Sequence, residues 1–175
     1  NLAPGIANLT SSGFTDIYVV KFSADSLPTS PQFFDWAFKL GSTSADLGAD
    51  LELEDTALYI TGSFYNTIDF NPGAVVNNLT SAGQTDMFLA KYSKDYIPSD
   101  PLFHQWSFKL GGTDFQDLRD IDIHLPYLYA TGRFTNQIFD ADPSAGVHNS
   151  LFPAWSDVAI MKYNLNYLPS DPNFF

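Results

Sequence analysis

Acidic side chains alternate along two short segments of the chain, and this spacing could bind a cation. One segment carries Asp50, Glu52 and Glu54, and the other carries Asp120 and Asp122. Side chains two residues apart lie on one face of a β-strand, and Ca²⁺ prefers several oxygen ligands. Calcium binding is therefore one interpretation. The favoured one is a solvated strand face or channel lining, because acids are mostly exposed and no Asp-x-Asp-x-Asp-Gly loop is present.

No segment has the residues of a catalytic site. The sequence lacks a Gly-x-Ser-x-Gly elbow, a phosphate-binding loop and a His-Glu-x-x-His motif. The histidines His104, His124 and His148 do not have the spacing of metal ligands. We therefore expect no enzymatic activity and no cofactor, with Ca²⁺ as the single ion to consider.

Charge and composition exclude several classes of partner. The chain has 8 Lys and Arg against 20 Asp and Glu, a net charge of −12, which would repel nucleic acid and anionic lipid. Without cysteine it has no disulfide framework. No apolar run approaches the roughly 20 residues that span a bilayer, so we expect no membrane insertion. Asn1–Gly5 lack signal-peptide features, so an export signal would lie outside this chain.

The chain repeats itself with a period of about 70 residues. Asn8-Leu9-Thr10-Ser11 returns at Asn78, and Phe38-Lys39-Leu40-Gly41 returns at Phe108. A third copy begins at Asn149, where the offset becomes 71. We divide the chain into units 8–77, 78–148 and 149–175, the last one incomplete, and treat residues 1–175 as a fragment of one repeat array.

The residue pattern of each unit predicts four short antiparallel strands, because apolar and polar residues alternate in segments that turn residues separate. Aromatic residues make up 16% of the chain, which also favours strands. Trp36 and Trp106 lie at equivalent positions on apolar strand faces, and we expect both to be buried between sheets. The predicted strands are, in unit order, 17–22, 35–40, 50–54 and 58–62; then 87–92, 105–110, 120–124 and 128–132; then 158–163.

Two kinds of loop recur in the units. A loop bracketed by prolines, the Pro loop, follows the first strand at 27–31, 97–101 and 168–172. Its aromatic residues Phe33, Phe34 and Phe103 are predicted to be exposed and able to stack on sugars. Asp69-Phe70-Asn71-Pro72-Gly73 and its later equivalent at 140–144 have the chemistry of a tight turn capped by Asx side chains.

The pattern resembles the bacterial SBBP-type β-propeller repeat. The matching residues are Thr61-Gly62-Ser63-Phe64, Asp69-Phe70-Asn71-Pro72-Gly73, Asn78-Leu79-Thr80-Ser81-Ala82-Gly83, Asp86 and Lys91. The resemblance covers essentially the whole chain and implies an all-β protein whose four-stranded units are propeller blades. It also implies that the third strand of a unit is innermost, followed outward by the fourth, the first and the second. A longer Pro loop and the acidic inner strand depart from the family pattern.

Short modification motifs occur in turn-rich segments. Asn8 and Asn78 begin Asn-x-Thr sequences, which are acceptors for N-glycosylation. Ser26 and Thr56 follow aspartate and precede an apolar residue, a pattern used for O-glycosylation by some bacteria that have such repeats. These four residues are the candidate glycan attachment sites.

Two functions remain open from the sequence. The first is a non-enzymatic, secreted or cell-surface structural protein, a scaffold, adhesin or fibre component. The alternative is a propeller module that binds carbohydrate or another ligand. In either case the strand count predicts an incomplete propeller of about two and a half repeats, whose partners are further repeats of a longer chain or other copies of itself.

Overall fold

The chain is an all-β protein, as the sequence predicts. A computed structural model describes residues 8–135, 138–144, 149–151 and 156–175, and these residues form strands and turns with no helix among them. Within that part of the chain, no helical segment therefore has the length and apolar character to cross a bilayer. The strands are β1 (Ile17–Phe22), β2 (Phe34–Leu40), β3 (Leu47–Glu54), β4 (Ala57–Phe64), β5 (Thr67–Asp69), β6 (Asn78–Thr80), β7 (Asp86–Ser93), β8 (His104–Leu110), β9 (Gln116–His124), β10 (Tyr127–Phe134), β11 (Ile138–Asp140), β12 (Asn149–Leu151) and β13 (Asp157–Asn164).

The longer strands form three antiparallel sheets. The central sheet has the order β3-β4-β7-β8, a second has the order β9-β10-β13, and the first has only β1 and β2. In the central sheet a third strand is followed by a fourth, a first and a second, which is the predicted order. Among the described residues, the first sheet has no counterparts of β3 and β4 beside β1, and the last sheet has no counterpart of β8 beside β13.

The third strand of each unit is longer than predicted. β3 begins at Leu47 rather than Asp50, and β9 begins at Gln116 rather than Asp120. Both strands contain a bulge, since the pairing with the neighbouring strand passes over Ala49 and over Arg119. A bulge interrupts the alternation of apolar and polar residues, so the sequence pattern does not reveal the first part of either strand.

Two small hairpins were not predicted. β5 pairs with β6 and β11 pairs with β12, with three residue pairs in each hairpin. In each hairpin the two strands flank a predicted Asx turn. In the first turn the side chain of Asp69 accepts hydrogen bonds from the N–H groups of Asn71 and Asn77, at 3.0 and 2.8 Å. Asp140 accepts the equivalent bond from the Asp142 N–H at 3.0 Å, so the predicted turn capping is confirmed.

The hydrophobic core has two parts, one on each face of the central sheet. One part joins β1 and β2 to one face of the central sheet, and the other joins the opposite face to β9, β10 and β13. Every residue of β4 is buried. Gly62 in β4 has no room for a side chain, because a Cβ would lie 2.0 Å from the Leu47 carbonyl oxygen and 2.9 Å from the Phe88 ring.

Candidate functional site at the interfaces between sheets

The acids of β3 line the interface between the central sheet and the last sheet. Asp50, Glu52 and Glu54 are half-buried, whereas the residues between them are exposed. They therefore share one face, as predicted. The equivalent acids of β9 are less covered, since Asp120 and Asp122 are exposed.

Asp50 joins two neighbouring sheets through a hydrogen bond. One of its carboxylate oxygens accepts the backbone N–H of Ile121, 71 residues further along the chain, at 3.0 Å. Ile121 follows the bulge in β9 and lies on the inner strand of its sheet. The carboxylate therefore satisfies a backbone donor that has no neighbouring strand on that side. This role for an acidic residue was not predicted from the sequence.

The same carboxylate also contacts Asp120. A hydrogen bond with the Asp50 side chain is the main reason that the pKa of Asp120 is raised from its ordinary value of 3.8, with further contributions from desolvation and from the charges of Asp50 and Asp122. Two carboxyl groups form such a bond only when one of them holds a proton. Asp120 therefore holds a proton more readily than an isolated aspartate would, because its pKa is raised.

Glu54 affects the aromatic residues of the same interface. Burial, followed by the negative charge of Glu54, raises the pKa of Tyr59 to about 12. The Lys91 ammonium lies 5.4 Å from the centre of the Tyr59 ring, a cation–π distance. Glu54 of β3 therefore lies beside the buried aromatic residues of the interface between the central and last sheets.

The geometry offers no complete metal site in the described part of the chain. No group of three or more acidic or histidine side chains there converges closely enough to hold a metal ion. Asp50 instead uses one oxygen to bind the Ile121 N–H. Calcium binding by Asp50, Glu52, Glu54, Asp120 and Asp122 stays a prediction without a ligand set.

A second group of acids lies at or directly before the first residue of a strand, and the sequence analysis assigned it no structural role. Asp86 is completely buried and accepts hydrogen bonds from the Ala82 N–H at 3.0 Å and from the Lys109 ammonium at 2.7 Å. Asp46 is also buried, and it accepts the N–H groups of Ser42 and Tyr65. Burial raises the pKa of Asp46 above its ordinary value. These acids stabilise turns. The recurrence of aspartate at 16, 86 and 157 was a signal for Asp86, whereas Asp46 has Gln116 as its equivalent and had no such signal.

An aromatic cluster recurs at both interfaces with the same composition. At the first interface Trp36 and Phe38 pack against Phe103 at 5.4 and 5.3 Å between ring centres. At the second, Trp106 and Phe108 pack against Phe174 at 6.0 and 5.5 Å. Trp36 is buried as predicted, whereas Trp106 is only half-buried. The packing of the indoles is therefore equivalent although their exposure differs.

Each cluster is tied to a turn by a tyrosine hydroxyl. Tyr92 donates to the Phe70 carbonyl oxygen at 2.8 Å, and Tyr163 donates to the Ala141 carbonyl oxygen at 2.9 Å. Both tyrosines are completely buried, and burial is the main reason that their pKa values are far above the usual range. In the first unit Phe22 takes this position and has no hydroxyl to donate.

The three aromatic residues predicted to stack on sugars have different environments. Phe103 is completely buried in the cluster beside Trp36, so its predicted exposure is wrong. It lies one residue before the outer strand, where it is directed into the core. Phe33 is half-buried and stacks on Phe22 at 4.8 Å. Phe34 is half-buried and lines a groove.

That groove runs along the outer strand β2. It has a volume of about 540 Å³, and Phe34, Trp36 and Lys39 line one side while Pro72 and Pro98 line the other. The indole Nε1 of Trp36 is buried without a hydrogen-bond partner. An apolar groove with a few polar groups is typical of ligand sites.

The candidate glycan acceptors lie in loops or at strand ends. Asn8, Asn78 and Thr56 are exposed, and Ser26 is half-buried. Asn78 is the first residue of β6, and Thr56 lies in the turn between β3 and β4. Their use as attachment sites stays a prediction.

The two ends of the stack expose residues whose equivalents are buried inside it. Val158 and Ile160 in β13 are 71% and 80% exposed, whereas the equivalent Met87 and Leu89 of β7 are 0% and 1% exposed. On the side of the first sheet, Leu51 of the central sheet is 44% exposed, whereas the equivalent Ile121 is buried. Each of these two surfaces therefore has the composition of an internal interface without its partner.

Comparison with known protein families, with curated proteins and with solved structures finds no match for this chain. The resemblance to SBBP-type repeats therefore depends on the residue pattern alone.

Proposed function

We propose that this chain is a non-enzymatic structural repeat protein whose sheets are consecutive blades of a β-propeller in a secreted or cell-surface scaffold. The proposal depends on the duplicated interface, in which residues 70 or 71 positions apart make the same contacts. Trp36 with Phe103 and Trp106 with Phe174 are one such pair of contacts. Repeats that contact only their neighbours in this way are typical of quasi-one-dimensional scaffolds.

The exposed end faces favour a protein that assembles with further units over a protein that acts as a single isolated chain. Val158 and Ile160 leave an apolar surface uncovered, and such surfaces mark contact sites. β1 and β13 also have unpaired edges among the described residues, and unpaired edges favour association with further strands. Further units of the same repeat, on a longer chain or on other copies, are the partners that this surface fits.

Electron microscopy of native material tests the structural function. Rings or fibres whose subunit repeat matches the spacing of successive sheets would support it. Isolated monomeric particles in the native material would contradict it. A labelled antibody against the chain, applied to intact and permeabilised cells of the source, tests the surface location separately.

A second candidate function is ligand binding in the groove along β2. The observation that favours it is the buried Trp36 Nε1 beside an apolar groove that Phe34 lines. A glycan array probed with the purified chain would detect it. Binding that is lost in Phe34→Ala and kept in Phe33→Ala would locate the ligand in this groove.

A further inference from the structure

The inner edge of β1 borders an open groove on the first sheet. The groove has a volume of about 350 Å³ and is lined by residues 17–20 of β1, residues 48–51 of β3, and Ile60. In the two other sheets the equivalent edge is fully paired, since β7 pairs with β4 and β13 pairs with β10 over eight residues each. Among the described strands of this type, only β1 lacks a partner on the edge where β7 pairs with β4 and β13 pairs with β10.

The wall of the groove matches a surface that is covered elsewhere in the molecule. Leu51 and Leu53 are exposed, whereas the equivalent Ile121 is buried and Ile123 is partly buried in the second core. Tyr18 is 70% exposed, whereas the equivalent Phe88 is completely buried. The second interface thus shows which kind of element covers such a surface: the inner two strands of an adjoining sheet.

The backbone donor at Leu51 adds a polar match. In the covered interface the N–H of Ile121 binds the carboxylate of Asp50 from the preceding sheet. At the open groove the equivalent N–H of Leu51 binds the side chain of its own neighbour, Asp50, at 2.8 Å. An incoming carboxylate at the position equivalent to Asp50 would replace the Asp50 oxygen as the acceptor of this N–H.

We propose that the groove between β1 and β3 binds a β-hairpin with the sequence pattern of β3 and β4. This inference depends on the proposed repeat scaffold and names the element that the first sheet accepts. The outer strand of the hairpin pairs with β1, and the inner strand covers Leu51 and Leu53. The hairpin can be supplied in solution as a peptide with the sequence of residues 47–64.

Two positions of the hairpin determine its register. Gly62 pairs with Phe88 in the central sheet, and the Thr61 hydroxyl donates to the Phe88 carbonyl oxygen at 2.7 Å. Tyr18 is the equivalent of Phe88, so the threonine of the hairpin donates to the Tyr18 carbonyl and the glycine faces its ring. A side chain in place of that glycine would clash, as Gly62 shows.

The experiment titrates the purified chain with the 47–64 peptide and measures binding by calorimetry and amide hydrogen exchange. We expect one peptide per chain and slower exchange in β1. Leu51→Glu should weaken binding by about tenfold or more, because it places a carboxylate in the apolar groove beside the incoming acid. Leu51 is exposed in the chain alone, so this variant should stay folded; circular dichroism checks this.

Leu27→Glu is the matched control, since Leu27 is also an exposed leucine, 73% exposed against 44% for Leu51, but lies in the Pro loop away from the groove. This variant should bind the peptide as the unmodified chain does. Absence of binding by the folded chain, or equal binding by Leu51→Glu, would overturn the hairpin proposal. Dimers that resist the peptide and disappear in Leu51→Glu would identify a second copy as the occupant and would also overturn it. Regular arrays in native material together with no peptide binding would reject this groove site and leave the scaffold function intact.

Discussion

The carboxylate of Asp50 binds the backbone N–H of Ile121 across the boundary between two sheets, at 3.0 Å. This contact changes the interpretation of the acidic face, since one of its members holds neighbouring repeats together. Substitutions of Asp50 should distinguish the contribution of this hydrogen bond to the free energy of unfolding from the effect of the negative charge.

Asp50→Ala is expected to lower the free energy of unfolding by about 1 to 3 kcal/mol, because the N–H of Ile121 loses its acceptor. Asp50→Asn keeps an oxygen acceptor and removes the charge, so it should be less damaging than Asp50→Ala. Urea unfolding measures both. Equal losses in the two variants would assign the effect to the charge and contradict the hydrogen-bond role.

Asp120→Asn is expected to stabilise the chain at pH 7, with a gain that shrinks as the pH falls. The pKa of Asp120 is raised above 3.8 in the folded state by Asp50, desolvation and Asp122. The folded state therefore binds more protons than the unfolded one, and its stability decreases as pH rises from about 3.8 through the raised value. The neutral amide donates to Asp50 at every pH. Thermal unfolding of both proteins across this range is the measurement, and a gain independent of pH would contradict the shared proton.

Trp36→Ala should cost about 3 to 5 kcal/mol of stability, because the indole is buried in a packed aromatic cluster. Trp106→Ala should cost less, since Trp106 is half-buried although it makes the equivalent ring contacts. Denaturant unfolding followed by far-ultraviolet circular dichroism compares them. A loss within experimental error for Trp36 would place this residue on the surface.

Tyr92→Phe should reduce stability by about 1 to 3 kcal/mol, because the Phe70 carbonyl loses a buried donor. Tyr163→Phe removes the equivalent bond to Ala141 and should behave alike. The control is Phe22→Tyr, which adds a hydroxyl to a half-exposed ring and should change little. Equal stabilities of all four proteins would show that the two hydroxyl bonds make no net contribution.

The isolated chain is expected to self-associate through its uncovered faces. Replacing both Val158 and Ile160 by lysine should reduce association, since these apolar side chains of β13 are 71% and 80% exposed on the end face. Leu168→Lys changes an equally exposed apolar residue in the Pro loop and serves as the control. Light scattering after size-exclusion chromatography gives the mass. A stable, cooperatively folding monomer of the unmodified chain would contradict the expectation.

The sequence predicted the strands well because the repeat and the alternation of apolar residues are local signals. β1 has the predicted bounds, Ile17–Phe22. Contacts between units were less accessible: the bond from Asp50 to Ile121 needs a bulge at Arg119, and a bulge has no alternating pattern. Phe103 was misjudged for a related reason, since proximity to two prolines suggested a surface loop while its ring is directed back into the core.

The interfaces described above give the stack a polarity. Each internal boundary joins one face of a sheet to the opposite face of the next, so the contact is heterologous, and such contacts close into a ring or continue as a filament according to the rotation between successive sheets. Toward the first end of the stack the central sheet displays Leu51 and Leu53 beside β1, and at the other end β9 displays Asp120 and Asp122. The two ends are chemically distinct. In the proposed scaffold, a unit added at the leucine end would therefore bring its own carboxylate, whereas a unit added at the acidic end would bring a free backbone N–H, so the repeats would all be oriented in one direction.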